Sequence, residues 1–240
     1  MPNPAIVEIF GTVATPYLPV TSEGPASLLV SVKSGSGSTQ HPIAYCGSQL
    51  SGSPIPFSLR LDRTTLADGV QLTLEAGCGY AWGEAAQVAR VAMPLVLDDQ
   101  DRLGPFDLQL EPVAGAPLHD TQKLPTEPSV LPLHLSVLIP EELVQEKTHL
   151  QASLLRIQAD GNSNLDSSNI AEASLQQSGS GCALTLYVDA NVLNDDDRLM
   201  LNVVLFDQQY STPLAGRVIR NLNPGNLHEI GEITLRAPRK

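Results

Sequence analysis

The side chains of this chain that can do chemistry are its histidines, its cysteines, its glycine-flanked serines and its clustered acids. Their spacing decides most of them. The histidines are His41, His119, His134, His149 and His228, and no two stand closer than 15 residues. No local HxxxH or HxH pair therefore offers a metal ion two ligands from one element. Gly179-Ser180-Gly181 and the Ser-Gly run at 34–38 look superficially like a nucleophile elbow. Neither is a G-x-S-x-G, and the elbow needs a strand–turn–helix context that this chain lacks. No Walker loop and no G-x-G-x-x-G opens a helix. Asp160-Gly161-Asn162-Ser163-Asn164-Leu165-Asp166 places oxygen ligands at the spacing of a calcium loop. But Leu165 stands where the sharp turn needs Gly, and Ala171 where a bidentate Glu belongs, so a polar strand connection is the better reading.

The cysteines are Cys46, Cys78 and Cys182. Cys46 and Cys78 fall on expected strands. A disulfide between two sheets and a pair of buried thiols, which behave as small hydrophobes, both stay open. Trp82, the only tryptophan, sits beside Tyr80. The pair reads either as a binding surface or as a cap on a core edge. With no convergent cluster, the expectations are no catalytic residues, no metal, no cofactor and no enzyme.

The elements that position these residues are strands. Phe57-Ser58-Leu59-Arg60-Leu61 and Val70-Gln71-Leu72-Thr73-Leu74 alternate apolar with polar residues, which turns one face to a core and one to water. Turn signals separate such runs, among them Ala67-Asp68-Gly69 and Asn223-Pro224-Gly225. The first half predicts strands near 5–13, 26–33, 43–49, 56–62, 70–78, 86–96 and 106–111. The second predicts them near 131–139, 149–158, 169–176, 182–189, 198–206, 214–222 and 229–236. Pro140 to Gln145 predicts a short helical turn or a plain turn.

The halves also resemble each other. At an offset of 127, 15 of the 53 positions from Ile43 to Leu95 are identical, including Leu59/Leu186, Asp62/Asp189, Asp68/Asp195, Leu72/Leu199 and Leu74/Leu201. Chance gives about 3 or 4 for ordinary residue usage. At offset 126, Ala26-Ser27-Leu28-Leu29 matches Ala152-Ser153-Leu154-Leu155, which implies one inserted residue between the blocks. The expected fold is all-β: two tandem antiparallel β-sandwich domains of about seven strands each. Residues 1–112 form the first, 113–130 a Pro-rich linker and 131–240 the second. Asp62, Asp189, Asp68 and Asp195 are expected to fix turns through backbone N–H groups.

The net charge of −12 and the pI of about 4.7 argue against nucleic acid and against anionic lipid headgroups. No run approaches the ~18–20 apolar residues of a membrane-spanning helix. The first residues show neither a basic n-region nor an apolar h-region, so the expectation is a cytoplasmic protein unless a leader has been removed.

Pro25-Ala26-Ser27-Leu28-Leu29-Val30, Pro56-Phe57-Ser58-Leu59 and Leu72-Thr73-Leu74 resemble the bacterial YbaY/YscW lipoprotein family, and the second half resembles it through Ala152-Ser153-Leu154-Leu155 and Leu184-Thr185-Leu186. The resemblance implies a small β-sandwich tethered to the outer membrane. It also implies a pilotin-like role toward a secretin or another envelope protein. It brings no catalytic residues. The expected function is a non-enzymatic, envelope-associated binding or assembly module acting by protein contact near Tyr80 and Trp82. The alternative is a cytosolic or structural tandem β-sandwich with no envelope role.

Overall fold

Alternating burial along successive strands builds the fold. The structure is a computed structural model, and it describes residues 5–16, 18–19, 26–35, 41–79, 87–115, 122–123, 127–144, 147–159 and 165–238. The first half contains β1 (Ile6–Ala14), β2 (Leu18–Pro19), β3 (Ala26–Ser34), β4 (His41–Leu50), β5 (Ile55–Asp62), β6 (Leu72–Gly79), β7 (Gln87–Leu95), β8 (Arg102–Gln109) and β9 (Glu111–Pro112). Within the expected linker, β10 (Gln122–Lys123) pairs antiparallel with β2. The second half contains β11 (Val130–Leu138), β12 (Thr148–Ala159), β13 (Leu165–Gln177), β14 (Gly181–Asp189), β15 (Leu199–Phe206), β16 (Pro213–Leu222) and β17 (Ile233–Thr234).

The fold is all-β. A nine-stranded sheet runs β16-β15-β12-β13-β4-β3-β6-β7-β9, and two three-stranded sheets, β5-β1-β8 and β14-β11-β17, belong to the first and second half. In β5, Ile55, Phe57, Leu59 and Leu61 are buried while Pro56, Ser58 and Arg60 are only half covered; β15 alternates in the same way. Leu74 and Leu201 have no exposed surface. Burying a leucine of this kind contributes about 1.5–3 kcal/mol. β5 and β14 lie side by side across β4 and β13, so one apolar cluster runs through both halves.

The two halves are therefore not separate bodies on a string. β4 pairs antiparallel with β13, from Ala44↔Leu175 to Ser48↔Ala171, and this seam makes one sheet of two. At its centre Cys46 faces Ala173, its own counterpart at offset 127, so the seam behaves as a local two-fold axis. Each half thereby hides an edge that would otherwise offer unpaired N–H and C=O groups.

Register corrects one alignment. Val30 pairs with Cys46 and Ala76, and Ala152 pairs with Ala173 and Val203, so Val30 and Ala152 are the equivalent residues. Leu28 then corresponds to Leu150, not to Leu154. The shared Ala-Ser-Leu-Leu is a coincidence of composition, since any strand in a small-residue sheet offers similar letters. Ile43 and Ile170 both occupy the bulge where the register of β4 and of β13 slips, in keeping with offset 127. The expected final strand is shorter than predicted. Pro224–Glu229 is a 3₁₀ turn held by a reciprocal Asn223/Asn226 capping box, and only Ile233–Thr234 pairs as strand, with β11. Near Pro140 the helical turn is the 3₁₀ segment Glu141–Leu143.

Candidate functional site

Two acid clasps fix the seam. Asp62 ends β5 and caps the following 3₁₀ turn by accepting from Thr64 N at 3.0 Å and Thr64 Oγ1 at 2.6 Å. Its second oxygen crosses to the other half and accepts from Ser178 N at 3.0 Å and Ser178 Oγ at 2.8 Å. Asp189 repeats the arrangement in reverse. It accepts from Asn191 N at 3.1 Å, from Ser51 N at 2.7 Å and from Ser51 Oγ at 2.8 Å. These carboxylates are buried, and the donors that cross the seam are the same in both, a serine N–H and its hydroxyl. The turn roles expected for Asp62 and Asp189 are seen here, with a cross-seam role added. Charge-assisted bonds of this kind are the strong ones.

Beside the axis the halves differ. Tyr45 on β4 and Glu172 on β13 occupy equivalent positions, and their side chains meet in a hydrogen bond between the Tyr45 hydroxyl and Glu172 Oε1. Glu172 also accepts from Gln151 Nε2 at 2.7 Å and from Asn169 Nδ2 at 3.0 Å. Tyr210, in the turn between β15 and β16, donates to Gln151 Oε1 at 2.6 Å and lies 3.1 Å from the Tyr45 hydroxyl. The four side chains thus close a ring.

A proton count shows how the ring is satisfied. Tyr210 has given its proton to Gln151. With Glu172 ionised, Tyr45 donates to the carboxylate, and the two phenol oxygens face each other with no proton between them. With Glu172 protonated, the carboxyl donates to Tyr45, Tyr45 to Tyr210, and every member has a partner. Burial, the largest cause, pushes the Glu172 carboxyl above the usual carboxylate range. Burial and the neighbouring acid raise Tyr45 strongly, so its phenol stays neutral. Burial also lowers His149 below the usual imidazole value. Burial thus disfavours the charged form of each of these three groups, while the hydrogen bonds from Tyr45 and Gln151 to Glu172 favour its anion.

Tyr210 is held for this task. Its φ is +58°, in the left-handed region that a bulky side chain rarely adopts. Asp207 fixes the turn by accepting from Ser211 N at 2.8 Å and Ser211 Oγ at 3.0 Å, and the Tyr210 N–H donates to the Asp207 carbonyl at 3.0 Å. The ring stacks on Phe206 with centroids 4.7 Å apart and meets the His149 edge at 5.0 Å. Strain of this sort survives where surrounding contacts over-determine it, as at binding sites.

These residues wall a cleft of about 580 Å³ across the seam. The first half supplies Tyr45, Ile43 and the Thr65–Ala67 turn; the second supplies His149, Gln176 and the Gln208–Tyr210 turn. The volume is in the range of small-ligand sites, about 300–1,000 Å³.

The expected site residues fare differently. Tyr80 and Trp82 lie outside the described residues, as do 160–164 of the calcium-like run. Cys46 and Cys78 are not bonded but free and buried, and burial pushes each thiol up to about 12. The inter-sheet disulfide considered for them fails on geometry. Both sit in the same sheet, on β4 and β6, with β3 between. Cys46 faces Val30 and Cys78 faces Leu28, so two strand spacings of ~4.8 Å plus that offset put their Cα atoms more than ~9–10 Å apart, beyond the ~7 Å limit of a disulfide. Cys182 is a half-buried free thiol packed against the core. His134 sits 3.1 Å from Thr185 Oγ1 on the opposite strand, a pairing role. Among the described sequence candidates, His149 reaches the cleft. Among the described residues no three of His, Cys, Asp or Glu are grouped to hold a metal ion. Tyr45, Gln151, Glu172 and Tyr210 had no motif to announce them. The one available signal was that Tyr45 and Glu172 differ at offset 127 directly after the identical pairs Ile43/Ile170 and Ala44/Ala171.

No family model matches this chain, and no curated relative does. A solved structure does match, the crystal structure of a "putative adhesin from Bacteroides ovatus ATCC 8483" at 12% identity. The alignment covers 98% of this chain and 94% of that one with a TM-score of 0.24, a superposition too loose to carry an argument about function.

Proposed function

We propose that this chain is a non-catalytic binding module that holds its ligand in the cleft across the β4–β13 seam. The observation that carries this reading is the construction of the cleft from both halves, with a strained Tyr210 locked into a hydrogen-bonded ring at its wall. The buried carboxyl at hand, Glu172, is engaged by three donors or acceptors and stands behind the wall, which suits a structural hub better than an acid catalyst. Native mass spectrometry of the protein isolated from its host tests the reading, with Gln176→Trp as the cleft-filling variant. A small-molecule adduct carried by the wild type and lost by the folded variant supports it. An adduct that survives in the variant sinks it.

An envelope-facing location is part of the same proposal and rests on the resemblance of residues 25–30 and 56–59 to the YbaY/YscW family. Fractionation of the full-length gene product tests it. A secretin or another envelope protein is the partner class that the resemblance supports, and affinity capture with Trp82→Ala as control tests that contact.

A further inference from the structure

The lining of the seam cleft says what kind of molecule it takes, given that the cleft is the binding site. We propose that its occupant is a saccharide of one or two rings, held through its hydroxyl groups by the carboxamides of Gln176, Gln208 and Gln209. A carboxamide presents an acceptor oxygen and two N–H donors side by side. Vicinal hydroxyls, each both donor and acceptor, match that pattern and leave no polar group unpaired. Ser34 and Ser174 add hydroxyls of the same dual character, while Ile43, Leu66 and Val70 supply the apolar surface that the C–H faces of a sugar ring need.

Charge narrows the choice. The chain carries −12 overall, yet among the described residues of the lining there is no carboxylate and no guanidinium, and Lys147 brings a single ammonium. A phosphorylated ligand calls for a cluster of cations or a helix N-terminus, and a cationic ligand calls for a carboxylate beside it. Neither is present among the described residues of the lining. One Tyr210 face is taken by Phe206, so flat stacking ligands lose half of that ring. A small polyhydroxylated molecule fits what remains.

The test is a panel of defined mono- and disaccharides, neutral and uronic, screened by saturation-transfer NMR and followed by calorimetry. Binding of a panel member is expected, weakened tenfold or more by Gln176→Ala and abolished by Gln176→Trp, with circular dichroism confirming the fold. Gln209→Trp, in an exposed turn, replaces the strand variant should that one misfold. Lys147→Gln separates the sources: it weakens uronic sugars and spares neutral ones. A panel with no binder overturns the saccharide assignment, as does a binder indifferent to both tryptophan variants. A non-saccharide adduct that Gln176→Trp removes in native mass spectrometry would leave the cleft reading standing and this one overturned.

Discussion

Replacing Asp62 by Asn removes one half of the seam clasp, and the structure sets the cost. The carboxylate is 3% exposed and accepts four bonds, two from Thr64 and two from Ser178. Asparagine keeps one oxygen and turns an NH₂ toward two donors, whichever way it flips. Two charge-assisted bonds are lost. Each lost bond to a charged group is worth about 1.5–3 kcal/mol, so the substitution costs about 3–6 kcal/mol. For a chain of this length that lowers Tm by about 6–24 °C. Ser178→Ala removes one of the four bonds and costs about 1.5–3 kcal/mol. In the double variant the two losses overlap, and the coupling measures the cross-seam bond. Urea unfolding followed by circular dichroism reads all of this, and because the sheet is continuous a single transition is expected for every variant. Asp62→Asn within 1 kcal/mol of wild type would refute the reasoning. So would two separate transitions of which Asp62→Asn moves only one.

Two further outcomes follow from the same coordinates. Leu74→Ala and Leu201→Ala each lower the midpoint of that transition by an amount equivalent to about 2–5 kcal/mol, since both side chains are wholly enclosed; losses under 1 kcal/mol in urea titrations would mean the core is not filled there. Glu172 makes stability depend on pH. Its folded pKa is raised by burial, so its contribution is full below the ordinary glutamate value of about 4.3 and is lost as pH rises through the folded pKa. Midpoints for wild type and Glu172→Gln should therefore diverge above that value, with the variant gaining relative to wild type. His149, whose pKa is lowered, has the opposite slope as pH falls below about 6.5, but it is common to both proteins and cancels in the difference. Parallel curves would contradict the assignment.

The strands were legible because their signal is physical. A strand buried on one face must alternate, and Phe57–Leu61 and Leu72–Leu74 alternate in sequence as they do in burial. The seam left no such signal. Both of its strands are expected, near 43–49 and 169–176, but nothing in small residues such as Ala44, Gly47, Ser48, Ala171 and Ser174 says that the two pair with each other. The Ala-Ser-Leu-Leu match misled because identity fixes neither register nor partner, and a slip of four residues keeps every side chain on its own face. The cysteines misled for a related reason: strand assignment places a residue on a sheet but does not say which strand lies between. The ring of Tyr45, Glu172, Gln151 and Tyr210 joins residues from four elements, and only the seam brings them together.

The likeness of the halves explains why the site stands where it does. Around a two-fold axis, equivalent residues face each other. Where both copies keep the same pair, as with Asp62/Ser178 and Asp189/Ser51, a donor always meets an acceptor and the clasp closes twice. Nearer the axis a single residue meets its own counterpart, and identity there is costly: two glutamates would bring like charges together in a buried place. The copies differ at that position, and the tyrosine of one meets the acid of the other. Once the pair is unequal, the surroundings of the two are unequal too. The turn at 207–212 can reach across to Tyr45 with Tyr210, while residue 83 of the first half, at the equivalent position, is a glycine with no side chain to offer. The identical clasps Asp62/Ser178 and Asp189/Ser51 therefore tie the halves together, and the unequal pair Tyr45 and Glu172 beside the axis shapes the cleft wall. On this reasoning Glu172→Tyr, which restores equality, should abolish ligand capture in the native mass spectrometry assay while the Asp62 and Asp189 clasps keep the two halves joined in one unfolding transition. A variant that binds as the wild type does would show that the asymmetry at the axis is incidental to the site.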